Sequence, residues 1–273
     1  MTKKIKNLVE FLNRKKVLAA YSGGSDSSAL LHILSSEPDI EVTAVTIKGA
    51  HIPEIEFNRA VKFCKEFNIE HKVLKVDILK VNGLKNNGTD RCYHCKSKAF
   101  SLIKEEAEKL NADIIADGTN LDDKGDYRPG MKALKELNIF SPFLHFKIGK
   151  KDIFNYLKEQ NLNEYNQPSN ACLISRVNYG GELSEELLKN IDSAEEFLRE
   201  LGFRQVRARI HNNLVRIEVE KEKFPDFFRL SEKIYERFKI LGFKFVTFDL
   251  DGYRTGSLNE DILATDETQI KHG

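Results

Sequence analysis

Tyr21-Ser22-Gly23-Gly24-Ser25-Asp26-Ser27-Ser28 decides how the chain is read. The run before it, 16–21, carries Val17, Leu18, Ala19 and Ala20 and has the pattern of a buried strand. Residues 27–33, rich in Ala and Leu, read as a helix. A strand, a turn of small residues and a helix together make an anion cradle. Glycines let the backbone turn sharply and come close to a ligand, and the first N–H groups of the helix have no partner within it. Ser22, Ser27 and Ser28 add hydroxyl donors, and Asp26 is a magnesium partner or an N-cap. The turn lacks the Gly-Lys-Ser/Thr ending of a Walker A loop and the Gly-x-Gly-x-x-Gly spacing of a dinucleotide fingerprint. An ordinary Gly/Ser turn capping a helix is the bland alternative.

A chain of 273 residues, 41% hydrophobic and 31% charged, has room for an α/β core and a smaller second unit. Its 43 basic residues nearly cancel 42 acidic ones, so no global field favours nucleic acid. No apolar run approaches the roughly 20 residues that span a bilayer. Residues 1–14 have lysines but no long apolar segment, so a cytoplasmic protein without a secretory signal is expected.

Working outward, 4–13 is an amphipathic helix, and strands are expected at 41–47, 70–76 and 113–116. Between them, Pro53 opens a helix to 67 as its first residue, 82–90 is a loop, and 93–110 is a helix. Strands alternating with helices give a parallel sheet, and ligands of such sheets sit at the carboxyl ends of the strands. Both the turn at 22–28 and Asp117-Gly118-Thr119-Asn120 fall there, so Gly118 and Thr119 join the candidate phosphate site. Residues 121–130 read as a loop, 132–138 and 150–160 as helices, and 161–181 as irregular chain. Ser184 is an N-cap candidate for a helix over 183–201. Strands at 203–210 and 214–219 meet across His211-Asn212-Asn213, followed by one helix at 224–241 and a strand at 244–250. The fold class is therefore α/β: a parallel-sheet domain at 1–182, a small antiparallel α+β domain at 183–258 that binds substrate or oligomerises, and a fraying tail at 259–273.

Cys92-Tyr93-His94-Cys95-Lys96 starts a helix, where two sulfurs share a side and the helix terminus favours thiolate. Cys172 lies in the later irregular stretch, and Cys64 sits inside an apolar helix as a buried small residue. Three thiolates can hold three irons of a four-iron cluster. Zinc with His94 is a poorer fit, because His94 stands between the two cysteines. Three unlinked thiols remain the alternative. Lys96 is a phosphate contact or a solvated lysine, and Asp126 a second acidic group for Mg²⁺. Arg207 and Arg209, two apart on a strand, share a face and suit a phosphate dianion, or else a solvated face with Glu218 and Glu220 opposite. Arg176 and Glu182 are assigned to the same site.

Ser22-Gly23-Gly24-Ser25-Asp26-Ser27-Ser28 resembles the PP-loop of ATP pyrophosphatases, which cut ATP between the α and β phosphates. Further pieces carry a narrower resemblance: Arg91-Cys92-Tyr93-His94-Cys95-Lys96, Asp117-Gly118-Thr119-Asn120, Asp126-Tyr127-Arg128-Pro129-Gly130, Ala171-Cys172-Leu173-Ile174-Ser175-Arg176, Arg207-Ala208-Arg209, Arg216-Ile217-Glu218 and Gly252-Tyr253-Arg254-Thr255-Gly256-Ser257. Together they resemble the LarE-type ATP-dependent sulfur transferases of nickel-pincer nucleotide biosynthesis, over nearly the whole chain.

The resemblance implies ATP and Mg²⁺ as cofactors, a pyridinium dicarboxylate mononucleotide as substrate, adenylation of its carboxylate, and displacement of AMP by sulfur. It implies that Arg207 and Arg209 hold the substrate phosphate. Many members surrender the sulfur of the cysteine matching Cys172. Cys92 and Cys95 instead match the subtype in which a 4Fe-4S cluster, held by three cysteines, carries a hydrosulfide delivered by sulfide or another donor. Relatives are often homo-oligomers. A tRNA-thiolating PP-loop enzyme and a non-enzymatic nucleotide-binding module are the rival readings.

Overall fold

The apolar segments fold much as their periodicities require. In the computed structural model, which describes residues 2–84, 86–125, 129–167 and 170–254, the chain divides into two compact units. The first comprises Met1–Leu84 and Gly88–Asn170; the second comprises Lys85–Asn87 and Ala171–Gly273.

The first unit opens with α1 (Lys3–Leu12), which buries Ile5, Leu8 and Leu12 and is N-capped by the Thr2 hydroxyl. It continues with β1 (Lys16–Ala20), α2 (Ser25–Ser35), β2 (Glu41–Lys48), α3 (Glu54–Glu66), β3 (Glu70–Lys75), α4 (Arg91–Leu110) and β4 (Ile114–Ala116). Three helices follow: α5 (Pro129–Glu136), α6 (Pro142–His145) and α7 (Lys150–Glu159). The strand order is β3-β2-β1-β4, and every pairing is parallel. Successive side chains of β1 go to opposite faces. Val17 and Ala19 pack in the core that also holds Leu8, Leu30, Phe63 and Leu157, from α1, α2, α3 and α7. Leu18 packs on the other face with Phe100 and Ile103 of α4 and Leu134 of α5. A strand buried on both faces has no use for polar alternation, which is why 17–20 is continuously apolar.

The order of the strands positions the site. The chain steps outward from β1 to β2 to β3, then returns to the other flank of β1 as β4. The reversal point therefore lies between β1 and β4, and the crevice of such sheets opens at the carboxyl ends of those two strands.

The second unit holds α8 (Glu185–Glu200), β5 (Arg207–His211), β6 (Leu214–Glu218), α9 (Phe224–Arg229), α10 (Ser231–Ile240) and β7 (Phe245–Phe248). Ser184 caps α8, its hydroxyl accepting from Leu187 N. β5 and β6 form the expected hairpin, turned at Asn212 with a left-handed φ of 55°.

Several expectations need correction. The small sheet is mixed rather than antiparallel: β7 pairs parallel to β6, because α9 and α10 form a crossover between them. Residues 224–241 are two helices that break at Leu230. Phe224, Phe227 and Phe228 of α9 cluster on Phe248, whereas α10 buries Ile234 and Phe238. Pro53 is the N-cap of α3 and not its first residue. Residues 121–125 form a 3-10 turn, and α5 starts at Pro129. Residues 171–182, read from the sequence with the first unit, group with the second. The tail at 259–273 lies outside the described residues.

His51, between β2 and α3, is only 3% exposed. Its Nδ1 has no hydrogen-bond partner among the described residues. Burial pushes its pKa down to about 4. The unfolded chain, with a His pKa of about 6.5, then binds the extra proton, so stability is lost as pH falls from about 6.5 towards 4. Burial lowers His32 and His71 in the same direction. In denaturant titrations across that window, His51→Gln should show a shallower loss of stability than the wild type; an unchanged slope would remove His51 as its source.

Candidate functional site

Where β1 ends, Gly23 takes a left-handed φ of 78°. A Cβ there would lie 2.4 Å from the carbonyl oxygen of Glu56, in the first turn of α3. Only glycine meets both demands. Gly24 is the N-cap of α2, so the helix begins at Ser25, two residues earlier than its apolar pattern shows. Ser22 and Ser27 share a hydrogen bond of 3.1 Å between hydroxyls, and Ser27 Oγ also donates to Gly24 O. Ser28 departs from its expected role. It is fully buried, its hydroxyl bonds the Tyr21 hydroxyl at 3.0 Å, and its N–H donates to Gly24 O. It braces the turn from inside and offers no donor to a ligand.

The second turn closes on the first. A Cβ on Gly118 would stand 3.0 Å from Ser27 N, so the 117–120 backbone lies against the first turn of α2. Asn120 Nδ2 donates to Asp26 Oδ2 at 3.1 Å, and Lys150 Nζ reaches the same oxygen at 3.2 Å. Asp26 is thus in the first helical turn and is not an N-cap. Its side chain is 24% exposed and that of Lys150 58% exposed, so this ion pair contributes no more than about 1 kcal/mol. Lys150 carried no signal in the sequence, since nothing local ties residue 150 to residue 26. Asp117 accepts from the hydroxyls of Thr119 and Ser141. Burial raises its pKa, and those two hydroxyls and the Lys96 charge oppose the rise. The Lys96 charge on α4 is thus felt at the Asp117 carboxyl.

On α4, Cys92 is exposed and Cys95 half-buried, three residues apart and so on one side of the helix. His94 bonds Asp90 at 2.9 Å, and its ring fills the space where a side chain on Gly83 would stand. Cys64 is buried, with its thiol pushed up to about 12, as expected of an inert core cysteine. Among the described residues, no group of three His, Cys, Asp or Glu side chains is arranged to hold a metal ion. Asp126 lies outside the described residues.

The second unit holds the arginines. Cys172, half-buried, is the N-cap of a 3-10 turn at Leu173–Arg176. Arg176 is fully buried. Its Nε and Nη2 grip Glu195 at 2.7 and 3.0 Å, and its Nη1 bonds Ala171 O at 2.7 Å. Burial weakens both charges of this pair, but mutual attraction prevails: Arg176 is held above its ordinary pKa and Glu195 below its own. Glu195 also accepts from Arg199 and from Ala208 N on the outer edge of β5. Arg209 Nε bonds Glu218 at 2.6 Å. Arg207 stacks 5.0 Å from the Tyr253 ring; its pKa is pressed down by burial and by the nearby Arg176 charge. Arg207 and Arg209 are buried rather than on a solvated face, with Arg209 committed to Glu218. Glu182 is exposed.

A parallel sheet with a glycine turn pressed between two helix starts at its reversal point defines a PP-loop ATP-using enzyme, and residues 1–127 match the PP-loop domain family. The chain is 42% identical to an uncharacterised protein of Methanocaldococcus jannaschii, over 91% of this chain and 95% of that one. It is 30% identical to the pyridinium-3,5-bisthiocarboxylic acid mononucleotide synthase of Lactiplantibacillus plantarum, over 96% and 95% respectively. It is 33% identical to an uncharacterised protein of Synechocystis, over 94% and 97%. The chain belongs to the LarE-type family of PP-loop proteins. No described helix is long and apolar enough to cross a membrane.

Three substitutions test this architecture. Gly23→Ala should destabilise by about 2 kcal/mol or more and weaken ATP binding, because positive φ and a backbone clash coincide there. Gly180→Ala, also at positive φ but in open space, should cost only about 1 kcal/mol in the same urea melts. Glu195→Gln strands the Arg176 charge in the interior and should cost about 3–5 kcal/mol; a loss below 1 kcal/mol would mean the pair is not buried in solution.

Proposed function

We propose that this protein is an ATP-dependent sulfur transferase that converts a carboxylate of a pyridinium mononucleotide to a thiocarboxylate, in nickel-pincer nucleotide biosynthesis. A carboxylate oxygen is a poor leaving group. Attack of that oxygen on the α-phosphorus of ATP breaks the bond to the β-phosphate and expels pyrophosphate. Sulfur then attacks the acyl carbon, and AMP departs with the carboxylate oxygen. The turn at 22–27 binds the triphosphate through N–H and hydroxyl donors, and these donors meet the charge gathering on pyrophosphate. Asp26 and Asp126 serve the Mg²⁺, and Lys96, Gly118 and Thr119 line the nucleotide. The second unit binds substrate: Arg207 and Arg209 hold its phosphate, with Arg176 bracing them from behind.

The observation that supports the nucleotide half is the packing of Gly118 on the first turn of α2, which lets two turns distant in sequence address one ligand. The thiocarboxylate product comes from kinship with the pyridinium-3,5-bisthiocarboxylic acid mononucleotide synthase along almost the whole chain. An excess of guanidinium over carboxylate supports the anionic substrate. Around the buried Glu195, Glu218 and Asp249 stand Arg176, Arg199, Arg207, Arg209, Arg216 and Arg254.

Cys92, Cys95 and Cys172 are assigned as thiolate ligands of a 4Fe-4S cluster. The exposed and half-buried thiols at a helix start and a 3-10 turn suit that donor role. These three residues would hold the cluster, which would supply sulfide-level sulfur and so spare the sulfur of Cys172. The near-zero net charge weighs against a tRNA substrate.

Anaerobic reconstitution tests the proposal. The wild type should bind about four irons per chain and Cys172→Ala far fewer. Pyrophosphate release should require ATP and the dicarboxylate mononucleotide. A colourless protein with one zinc would overturn the cluster. One turnover with loss of hydrogen sulfide from the intact mass would make Cys172 the sacrificed donor. Release that depends on tRNA, and that fails with the mononucleotide, would overturn the substrate.

A further inference from the structure

We propose that Lys150 is a phosphate ligand of the nucleotide site: when ATP enters, the Lys150 ammonium leaves Asp26 and pairs with the β–γ end of the triphosphate, releasing Asp26 to the accompanying magnesium. The proposal rests on the ATP half of the function above and adds a residue to it.

The argument begins with charge. The turn at 22–27 is built to receive an anion, yet Asp26 places a carboxylate in its first helical turn. A fixed negative charge beside a polyphosphate repels it unless a cation intervenes. The turn at 22–28 itself contains no lysine, so a side-chain cation has to come from elsewhere in the fold. In this structure it is Lys150, whose Nζ lies 3.2 Å from Asp26 Oδ2. Once magnesium arrives with ATP, a divalent ion outcompetes the ammonium for that oxygen, and Lys150 is left next to the incoming phosphates.

The backbone around Lys150 is held while its side chain is not. Lys150 N donates to Asp122 Oδ2 at 2.6 Å, and Gly149 N donates to Asp152 Oδ2 at 3.2 Å. Asp122 N is in turn held by Asn120 Oδ1 at 2.9 Å, and Leu121 N by Ile148 O at 3.0 Å. A Cβ on Gly149 would meet Asp122 at 2.7 Å, so the start of α7 sits directly on the 117–123 turn. Asn120, which also bonds Asp26 Oδ2, ties that turn to α2. The ammonium therefore swings from a fixed root beside the cradle. Its present pairing is solvent-exposed and weak, whereas charge-assisted bonds to phosphate oxygens are stronger, so the exchange runs towards the nucleotide.

Isothermal titration of the full chain with MgATP, pyrophosphate and AMP tests the assignment. Lys150→Met should weaken MgATP and pyrophosphate binding roughly tenfold or more and leave AMP binding unchanged. Lys150→Arg should keep MgATP affinity within about threefold, since it retains the charge. The decisive comparison is the double variant: Lys150→Met in an Asp26→Asn background should weaken MgATP binding further than Asp26→Asn alone. No further loss there would mean that Lys150 serves only as a partner of Asp26, and MgATP affinity equal to wild type in Lys150→Met would overturn the assignment. Either result leaves the ATP reading intact, because the wild type still binds. A wild type that binds no MgATP would overturn both.

Discussion

Val17↔Ile114, Leu18↔Ile115 and Ala19↔Ala116 are the pairs of the parallel ladder between β1 and β4. The two strands are nearly a hundred residues apart in sequence, and the ladder sets their carboxyl ends side by side. Without it, the glycine turn after β1 and the Asp117-Gly118-Thr119-Asn120 turn after β4 would be separate loops. With it, Gly118 comes against Ser27, and Asn120 can reach Asp26. The ladder forms because β1 is apolar on both faces and takes its place inside the sheet, with β2 on one flank and the returning chain on the other.

From that adjacency the nucleotide site follows by steric demand. Gly23 admits the Glu56 carbonyl at a distance no Cβ could tolerate, which presses the turn onto α3. Tyr21 and Ser28 brace it from within, so the donors on the open side are the backbone and the hydroxyls of Ser22 and Ser27. Rigid donors aimed at an anion need little reorganisation when it binds. That is the physical link from the apolar pattern of a strand to an ATP-using PP-loop enzyme.

The second unit solves a different problem, that of keeping several guanidinium groups away from water. Glu195 does most of this work. It neutralises the fully buried Arg176, binds Arg199, and accepts the N–H of Ala208 at the edge of β5. That edge is further covered by Val177, bridged to Ile210, and by Asn178 N bonding Ile210 O. A sheet edge sealed in this way is protected from pairing with other chains, and the arginines of β5 are held in place by Glu218 and the Tyr253 ring.

The strands of the first sheet, the anion-binding turn, the capped α8 and the β5–β6 hairpin were all legible in the sequence. Each rests on local physics: apolar periodicity, glycine conformations or a capping hydroxyl. The cysteine and arginine motifs were legible as residue types with a chemistry. Only the tertiary structure decided that Ser28 faces inward, that β7 runs parallel to β6, and that the helix from 224 breaks at Leu230 to serve two packing partners. It alone joined Glu195 to Arg176 and Lys150 to Asp26. Pairings of that kind depend on how distant elements stack, and the residues that make them carry no mark in their own neighbourhood of the chain.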